Sequence, residues 1–460
     1  MTKKLWGARF RKKIDRGFFK FQKSIHYDYK LAQYDIYHSL IHVAALKEVG
    51  ILNEEEEKRL IAGLLELLRD IADNKFKPDL NSEDIHTDIQ NKIEKKIGKL
   101  SHKLHSLRSR NEQVVFDEKL YCSREAINIA SQIRKVISSL ESLAKKYKTF
   151  YFPGYTHTQR AQVLLFKDYI LSFAYMLERD LKRLDNFINS LLVYIGAGAL
   201  AGTSIPKKAY NEALKKFLGI LKNVVKTAQI AKNAVDNVSS RDFIVEFLSI
   251  LAIIQMHLSR LASDFILYST KEFDFLDLPQ EFCTGSSLMP HKKNPDFLEL
   301  LRGYTGIIYG NLFSILTLMK GLNLSYNRDM QLDKEPLFSS VEIIREELRL
   351  LSEFLERVSL KEESIKRVLE DESLYATEVA EFLVYKGVPF KEAHKIVGKL
   401  IRYSEEKKIK IKDTSNSLLK RFHKSLTQEV LRKILSPEYA LSLKKSISRA
   451  AAPRRILRKK

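Results

Sequence analysis

The most chemically dense stretch of the chain is the segment Gly285-Ser286-Ser287-Leu288-Met289-Pro290-His291-Lys292-Lys293-Asn294-Pro295. Gly285 permits a tight backbone turn. The N–H groups that follow can converge into an anion-binding nest, and a neighbouring lysine can stabilise a developing oxyanion. A plain glycine–serine connector with a solvated lysine pair does not account for so many reactive and conformationally special residues in so short a span. Other constellations are weaker. His38 and His42 are spaced i, i+4 on an expected helix, but position 39 is serine and no third metal ligand is in view, so core or surface roles are expected. His102 and His105 read the same way. Cys122 and Cys283 have no C-x-x-C spacing, which excludes a disulfide scaffold and a cysteine zinc site. Neither a P-loop nor a Rossmann fingerprint occurs. No metal and no cofactor is expected.

Such a loop needs rigid elements to hold it. The 460 residues include only 17 Gly and 10 Pro, roughly half the usual share, so the expected scaffold is long helices. Four stretches, 99–152, 161–195, 220–278 and 337–386, lack both breakers. Several rods of that length must bury their faces against each other, which predicts an all-α long-helix bundle. Before it, Asn53 is an expected N-cap, with Glu54–Glu57 in the first turn and an apolar stripe from Leu60 to Ile71. After residue 360, Gly387-Val388-Pro389 breaks the chain and 390–403 has helical periodicity. The expected domains are a small helical one at 1–108, a central long-helix bundle at 109–360 and a small helical one at 361–460. The breakers cluster at Pro153-Gly154, at Gly196, Gly198 and Gly202, and in the Gly285 loop, where chemistry is expected to sit.

Charge and hydropathy bound the partners. Lys+Arg 79 against Asp+Glu 57 gives a net charge of +22. The basic residues are interleaved with acids except at the two ends, 3–13 and 454–460, and no nucleic-acid-binding motif accompanies them. The charge therefore reads as surface composition, and no nucleic-acid partner is expected. The charge-free run 186–206 contains Gly198-x-x-x-Gly202, which resembles a membrane dimerisation motif. Its asparagines, hydroxyls and three glycines favour a helix buried on all sides in a soluble assembly. No membrane partner is expected. The chain opens without an apolar signal region, so a cytoplasmic protein is expected.

The Gly285–Asn294 segment resembles the signature of the fumarase/aspartase superfamily, G-S-S-x-M-P-x-K-x-N, at every fixed position. Further segments are similar to the argininosuccinate lyase family. Trp6-Gly7-Ala8-Arg9-Phe10 resembles its W-G-G-R-F opening, with Ala for the second Gly. Arg108-Ser109-Arg110-Asn111-Glu112-Gln113 resembles R-S-R-N-D-Q, with Glu for Asp. Tyr155-Thr156-His157-Thr158-Gln159-Arg160-Ala161-Gln162 resembles Y-T-H-x-Q-x-A-Q. Tyr326-Asn327-Arg328-Asp329-Met330-Gln331-Leu332-Asp333-Lys334 resembles Y-N-x-D-x-Q-x-D-K. The matches are collinear from residue 6 to 336, and nothing beyond 336 carries a usable motif.

The resemblance implies a helical homotetramer, with sites shared between subunits, that eliminates across a C–N bond of argininosuccinate to release fumarate without a cofactor. Ser286 would be the base, held near the alkoxide by loop N–H groups and Lys292. His157, read as sitting at a loop-to-helix junction, would be the general acid, paired with Glu299. Arg110, Arg241 and Lys334 would take substrate carboxylates. Ser24, Asn111, Thr156, Asn294, Tyr326 and Gln331 would add hydrogen bonds, Asp28 would face an amine, and Asp84 and His86 would support these groups from behind. The rival readings are adenylosuccinate lyase or another fumarate-releasing relative, a crystallin-like structural protein, and a polyanion binder using the basic ends.

Overall fold

The computed structural model describes residue 9 and residues 11–221, 224 and 228–446. The opening at 6–10, Arg9 apart, and the basic tail 454–460 lie outside the described residues. Regular structure is overwhelmingly helical, as the shortage of breakers predicts. Each breaker-free stretch holds one long helix or most of one: Arg110–Lys146, Phe166–Ser190, Asp242–Ser269 and Lys334–Arg357. The first has 37 residues and is therefore about 55 Å long. Asn53 caps the Glu54–Ala72 helix as expected, in a reciprocal capping box with Glu56. Phe390–Lys407 is also helical.

The chain forms two compact units. Unit 1 is Met1–Gln132, Asp180–Met256 and Tyr304–Glu346; unit 2 is Ile133–Arg179, His257–Gly303 and Glu347–Lys460. The divisions of the chain fall inside the four long helices and between Gly303 and Tyr304.

In unit 1 the helix Ala32–Glu48 is buried on nearly every side, because it packs against both Glu54–Ala72 and Lys207–Leu221. The Glu54–Ala72 helix is amphipathic and buries only the stripe of Leu60, Leu64 and Leu67 with Gly63 and the foot of Glu57.

The run 186–206 is not the buried helix expected of it. The Phe166–Ser190 helix ends inside it, and Val193–Ile195 forms a short strand parallel to Ala228–Ile230. Gly196, Gly198 and Gly202 all adopt positive φ. A Cβ on Gly198 would lie 2.2 Å from the carbonyl oxygen of Gly202. The glycines thus serve a tight backbone turn; the apolarity belongs to a buried strand whose Val193 and Ile195 have no exposure. The helix Asp242–Ser269 is long and apolar enough to cross a membrane by length and composition. Its Phe247, Leu251, Ile254, Leu258 and Phe265 are buried in protein.

In unit 2 an antiparallel hairpin pairs Tyr151–Thr156 with Gln159–Leu165. Its Phe152 packs with Phe166, Tyr169, Tyr268 and Phe275, mostly edge to face, the arrangement that ring quadrupoles favour. The C-terminal helices Ala376–Tyr385 and Phe390–Lys407 enclose a separate apolar core containing Leu383, Val397, Leu400 and Leu431.

Candidate active site

The Gly285 segment is a closed loop in unit 2. Thr284 and Asn294 bridge its ends with two backbone hydrogen bonds of 3.2 and 2.8 Å. The Asn294 side chain donates to the Gly285 carbonyl at 3.3 Å. The Thr284 hydroxyl donates to Asp296 Oδ2 at 2.6 Å, at the start of the helix Asp296–Gly303. Within this frame the half-buried Ser286 Oγ accepts the N–H groups of Leu288 at 3.3 Å and Met289 at 3.1 Å. Two converging N–H groups are what a serine oxygen needs to carry negative charge. The adjacent lysines divide in role. Lys293 is a strut, bonded to Asp277 Oδ1 at 3.0 Å and to the Leu278 carbonyl. Lys292 is exposed and, among the described residues, has no ion-pair partner, so its charge is free for a ligand.

His157 is not at a loop-to-helix junction. It and Thr158 form the two-residue tip of the hairpin, closed by Thr156 paired with Gln159. Their φ angles are +52° and +59°, the conformation of a type I′ turn. Residues after Pro153-Gly154 therefore run as a strand where a helix was expected. Gly154 is required within that strand, because a Cβ there would meet the Gln162 carbonyl oxygen at 2.8 Å. Arg160, which pairs with Tyr155 just below the tip, ties the hairpin to Asp371 at 2.7 Å. His157 and Thr156 are exposed, and Glu299 is exposed on the helix Asp296–Gly303. Among the described residues, no hydrogen bond joins His157, Ser286, Lys292 and Glu299 to one another.

The binding candidates Ser24, Asp28, Arg110, Asn111, Arg241, Tyr326, Gln331 and Lys334 all belong to unit 1. Ser24 Oγ donates to Asp28 Oδ2 at 2.6 Å, and Ile85 N–H donates to Asp28 Oδ1 at 3.1 Å. Burial, with the Asp84 charge nearby, pushes the Asp28 carboxyl up to about 7 in spite of these bonds. Asp84 caps the helix Ile85–Ile97 by accepting from Thr87 N–H at 2.8 Å, and pairs with Arg110 at 2.6 Å. Arg110 thus reaches the site already partnered. His86 Nδ1 lies 2.9 Å from Asp35 Oδ1, which also accepts from Gln113 at 2.7 Å. Asn111 donates to the Ala199 carbonyl at 3.3 Å, and Gln331 donates to the Gln22 carbonyl at 2.8 Å. Tyr326 is half-buried, and burial raises its phenol while the Lys334 charge works against it.

Arg241 and Lys334, expected simply as carboxylate binders, are instead buried and ion-paired. Asp333 accepts from Arg241 Nε and, at 2.8 Å, from Lys334 Nζ. Glu118 lies 3.1 Å from Arg241 Nε and 2.6 Å from Lys334 Nζ. The contact with Lys334 is of hydrogen-bond length, whereas Arg241 acts on Glu118 through charge. Burial pushes Glu118 up to about 7 although Arg241 pulls it down. Asp333 is held below its ordinary range because Lys334 and Arg241 outweigh its burial. Sequence reasoning passed over Glu118. Its signal is the charged triplet Asp117-Glu118-Lys119 between Val114-Val115-Phe116 and Leu120-Tyr121-Cys122, which puts charges on every face of a helix with an apolar surround.

Asp35, His86 and Asp117 are the one group of three such side chains close enough to hold a metal among the described residues. The His86–Asp35 hydrogen bond already uses one ligand atom of each, so the group reads as a polar core cluster. His38 and His42 are fully buried. Burial and the Arg108 charge press both imidazoles well below their ordinary range, and His42 Nε2 lies 2.8 Å from the Ser106 carbonyl.

Known proteins resemble the chain over most of its length. A lyase family model matches residues 8–310 and an argininosuccinate lyase C-terminal model matches 373–442. The second falls where the sequence offered no usable motif. The chain is 42% identical over 428 residues to the argininosuccinate lyase of Caldanaerobacter subterraneus subsp. tengcongensis, covering 93% of this chain and 95% of that one. It is 40% identical over 445 residues to the Bacillus cereus argininosuccinate lyase, covering 96% and 94%. Among solved structures, the class II fumarase of Schistosoma mansoni superposes with a TM-score of 0.78 at 17% identity, covering 93% and 95%. The fumarate lyase/delta crystallin of Brucella melitensis gives 0.76 at 18%, covering 90% and 91%. The fold is that of the fumarase/aspartase superfamily, and the chain belongs to its argininosuccinate lyase family.

Proposed function

We propose that the chain cleaves argininosuccinate to fumarate and L-arginine by β-elimination. The observation that carries this reading is the Ser286 oxygen, fixed by two N–H groups in a closed loop that also holds Lys292, which has no ion-pair partner among the described residues. The proton to be removed lies next to a carboxylate and is very weakly acidic. Ser286 takes it, and the electron pair is held as an aci-carboxylate stabilised by Lys292 and the loop N–H groups. The C–N bond then breaks, and the leaving guanidinium nitrogen takes a proton from His157, with Glu299 as that histidine's carboxylate. Arg110, Arg241 and Lys334 serve the substrate carboxylates, and Asp28 serves its amine. Ser24, Asn111, Thr156, Asn294, Tyr326 and Gln331 supply hydrogen bonds. We assign the protein to the cytoplasm as a homotetramer with shared sites, without cofactor, nucleic-acid or membrane partner. The proton-transfer candidates fall in unit 2 and most binding candidates in unit 1.

The test is fumarate absorbance with argininosuccinate, adenylosuccinate, aspartate or malate supplied separately. Release from argininosuccinate alone is expected. No turnover of argininosuccinate would sink the reading, and release from adenylosuccinate instead would replace the assigned substrate.

A further inference from the structure

Arg241, Lys334, Glu118 and Asp333 form a buried quartet of two cations and two carboxylates, with at most 5% exposure on any side chain. As four ions its net charge is zero, which gives an arriving anion nothing to gain beyond exchange of partners. The two carboxylates are not equivalent. Asp333 takes hydrogen bonds from both cations, and Glu118 is bonded by Lys334 at 2.6 Å but meets Arg241 through charge alone. Glu118 is therefore the partner that can be released at least cost, and leaving it charged once released would strand a buried anion.

We infer that Glu118 is a positioning residue for the carboxylate-binding pair: ionised, it neutralises Lys334 and Arg241 in the empty site, and it takes up a proton from solvent when a substrate carboxylate replaces it as their counterion. The exchange balances, because one carboxylate leaves the quartet's charge as another enters, and the proton goes to Glu118. The charged and titratable groups facing Glu118 are Arg241, Asp333 and Lys334 from the other elements, and Asp117 and Cys122 from its own helix. Asp333 raises Glu118 and the two cations lower it, and burial outweighs them. The inference rests on the reading that Lys334 and Arg241 receive substrate carboxylates.

Two measurements test it. Fumarate binding to the wild-type enzyme is followed by calorimetry in buffers of different ionisation enthalpy at about neutral pH and above. Uptake is expected to rise from about half a proton per site near neutral pH towards one above it; none overturns the inference and needs no variant. KM for argininosuccinate is then measured between about pH 6 and 9 in wild type, Glu118→Gln and Glu118→Asp. The wild-type KM is expected to rise with pH above neutrality, approaching about tenfold per pH unit, the limit for one linked proton. Glu118→Gln, which cannot ionise, should give a flat profile with a lower KM at the alkaline end, and Glu118→Asp should keep the slope. A Glu118→Gln profile parallel to wild type means a merely structural role. Turnover with a flat wild-type profile removes this inference alone, whereas no fumarate from argininosuccinate removes the functional reading and this inference with it.

Discussion

The two regions that hold the candidate site residues are built on opposite principles. In unit 1 the binding candidates are buried or half-buried and already partnered: Arg110 by Asp84, Lys334 and Arg241 by Glu118 and Asp333, Asp28 by Ser24. In unit 2 the proton-transfer candidates stand on a closed loop and a hairpin tip, exposed or half-buried, with few contacts beyond the backbone. Groups that recognise charge must be held rigid before the ligand arrives. Groups that move protons must be reachable and free to change charge. Stability and catalysis are thus separable here, and substitutions in the two regions should fail differently.

The largest effect expected is on rate without stability. Ser286→Ala removes the oxygen that Leu288 and Met289 support, and loss of a general base costs about 10²–10⁴-fold. Fumarate release should fall by at least that range, while the unfolding midpoint in denaturant stays at the wild-type value. Near-normal rates would remove Ser286 as the base. A lowered midpoint would mean that the loop, too, is structural, which breaks the contrast.

Asp333→Asn is the reverse case. It leaves two buried cations with Glu118 as their only carboxylate. Breaking a buried pair by removing one charge costs about 3–5 kcal/mol, so denaturant unfolding should shift by that amount. Glu118→Gln, which removes a carboxylate bonded by one cation rather than two, should cost clearly less. Equal losses would show that the two carboxylates are equivalent.

Asp28 gives a pH-dependent version of the same test. Its folded carboxyl titrates at about 7, well above its ordinary 3.8. The folded state therefore holds a proton that the unfolded chain releases, so this contribution is fully present below about pH 4 and is lost as pH rises through about 7. Asp28→Asn fixes the neutral form. Thermal unfolding of the variant should lose less stability than wild type between those values, and a parallel profile would mean that Asp28 is charged in the folded protein.

Legibility in the sequence followed the same division. The long helices were readable, because missing glycine and proline is a direct statement about backbone freedom. The loop at Gly285 was readable, because reactive residues crowd into an exposed connection. The buried quartet was only half readable. Lys334 and Arg241 stand in motifs, but Glu118 is an ordinary helical glutamate until the tertiary fold places two cations against it. The hairpin was missed because its tip breaks the usual rule: two-residue turns with positive φ favour Asn-Gly, and here the positions are His157 and Thr158. Likewise 186–206 read as a helix because charge-free sequence marks burial without distinguishing strand from helix.

That irregular turn supplies the smallest and sharpest prediction. Thr158 is β-branched and held at φ +59°, where an L side chain meets its own backbone at a cost of about 1–2 kcal/mol. Its neighbour His157 sits at +52°. Strain of this kind persists only where surrounding structure enforces it, here the paired strands and the Arg160–Asp371 contact just below the tip. Thr158→Gly removes the Cβ without touching the imidazole, so it should stabilise the fold by about 1 kcal/mol, read from the denaturant midpoint. If the strained tip serves to aim His157, turnover should fall a few-fold at the same time, because the glycine lets the tip sample other conformations. A gain in stability with unchanged turnover would leave His157 positioned by the strands alone. No gain in stability would show that the turn costs nothing in the folded protein, and the contrast between a relaxed binding cluster and a strained catalytic tip would lose its energetic half.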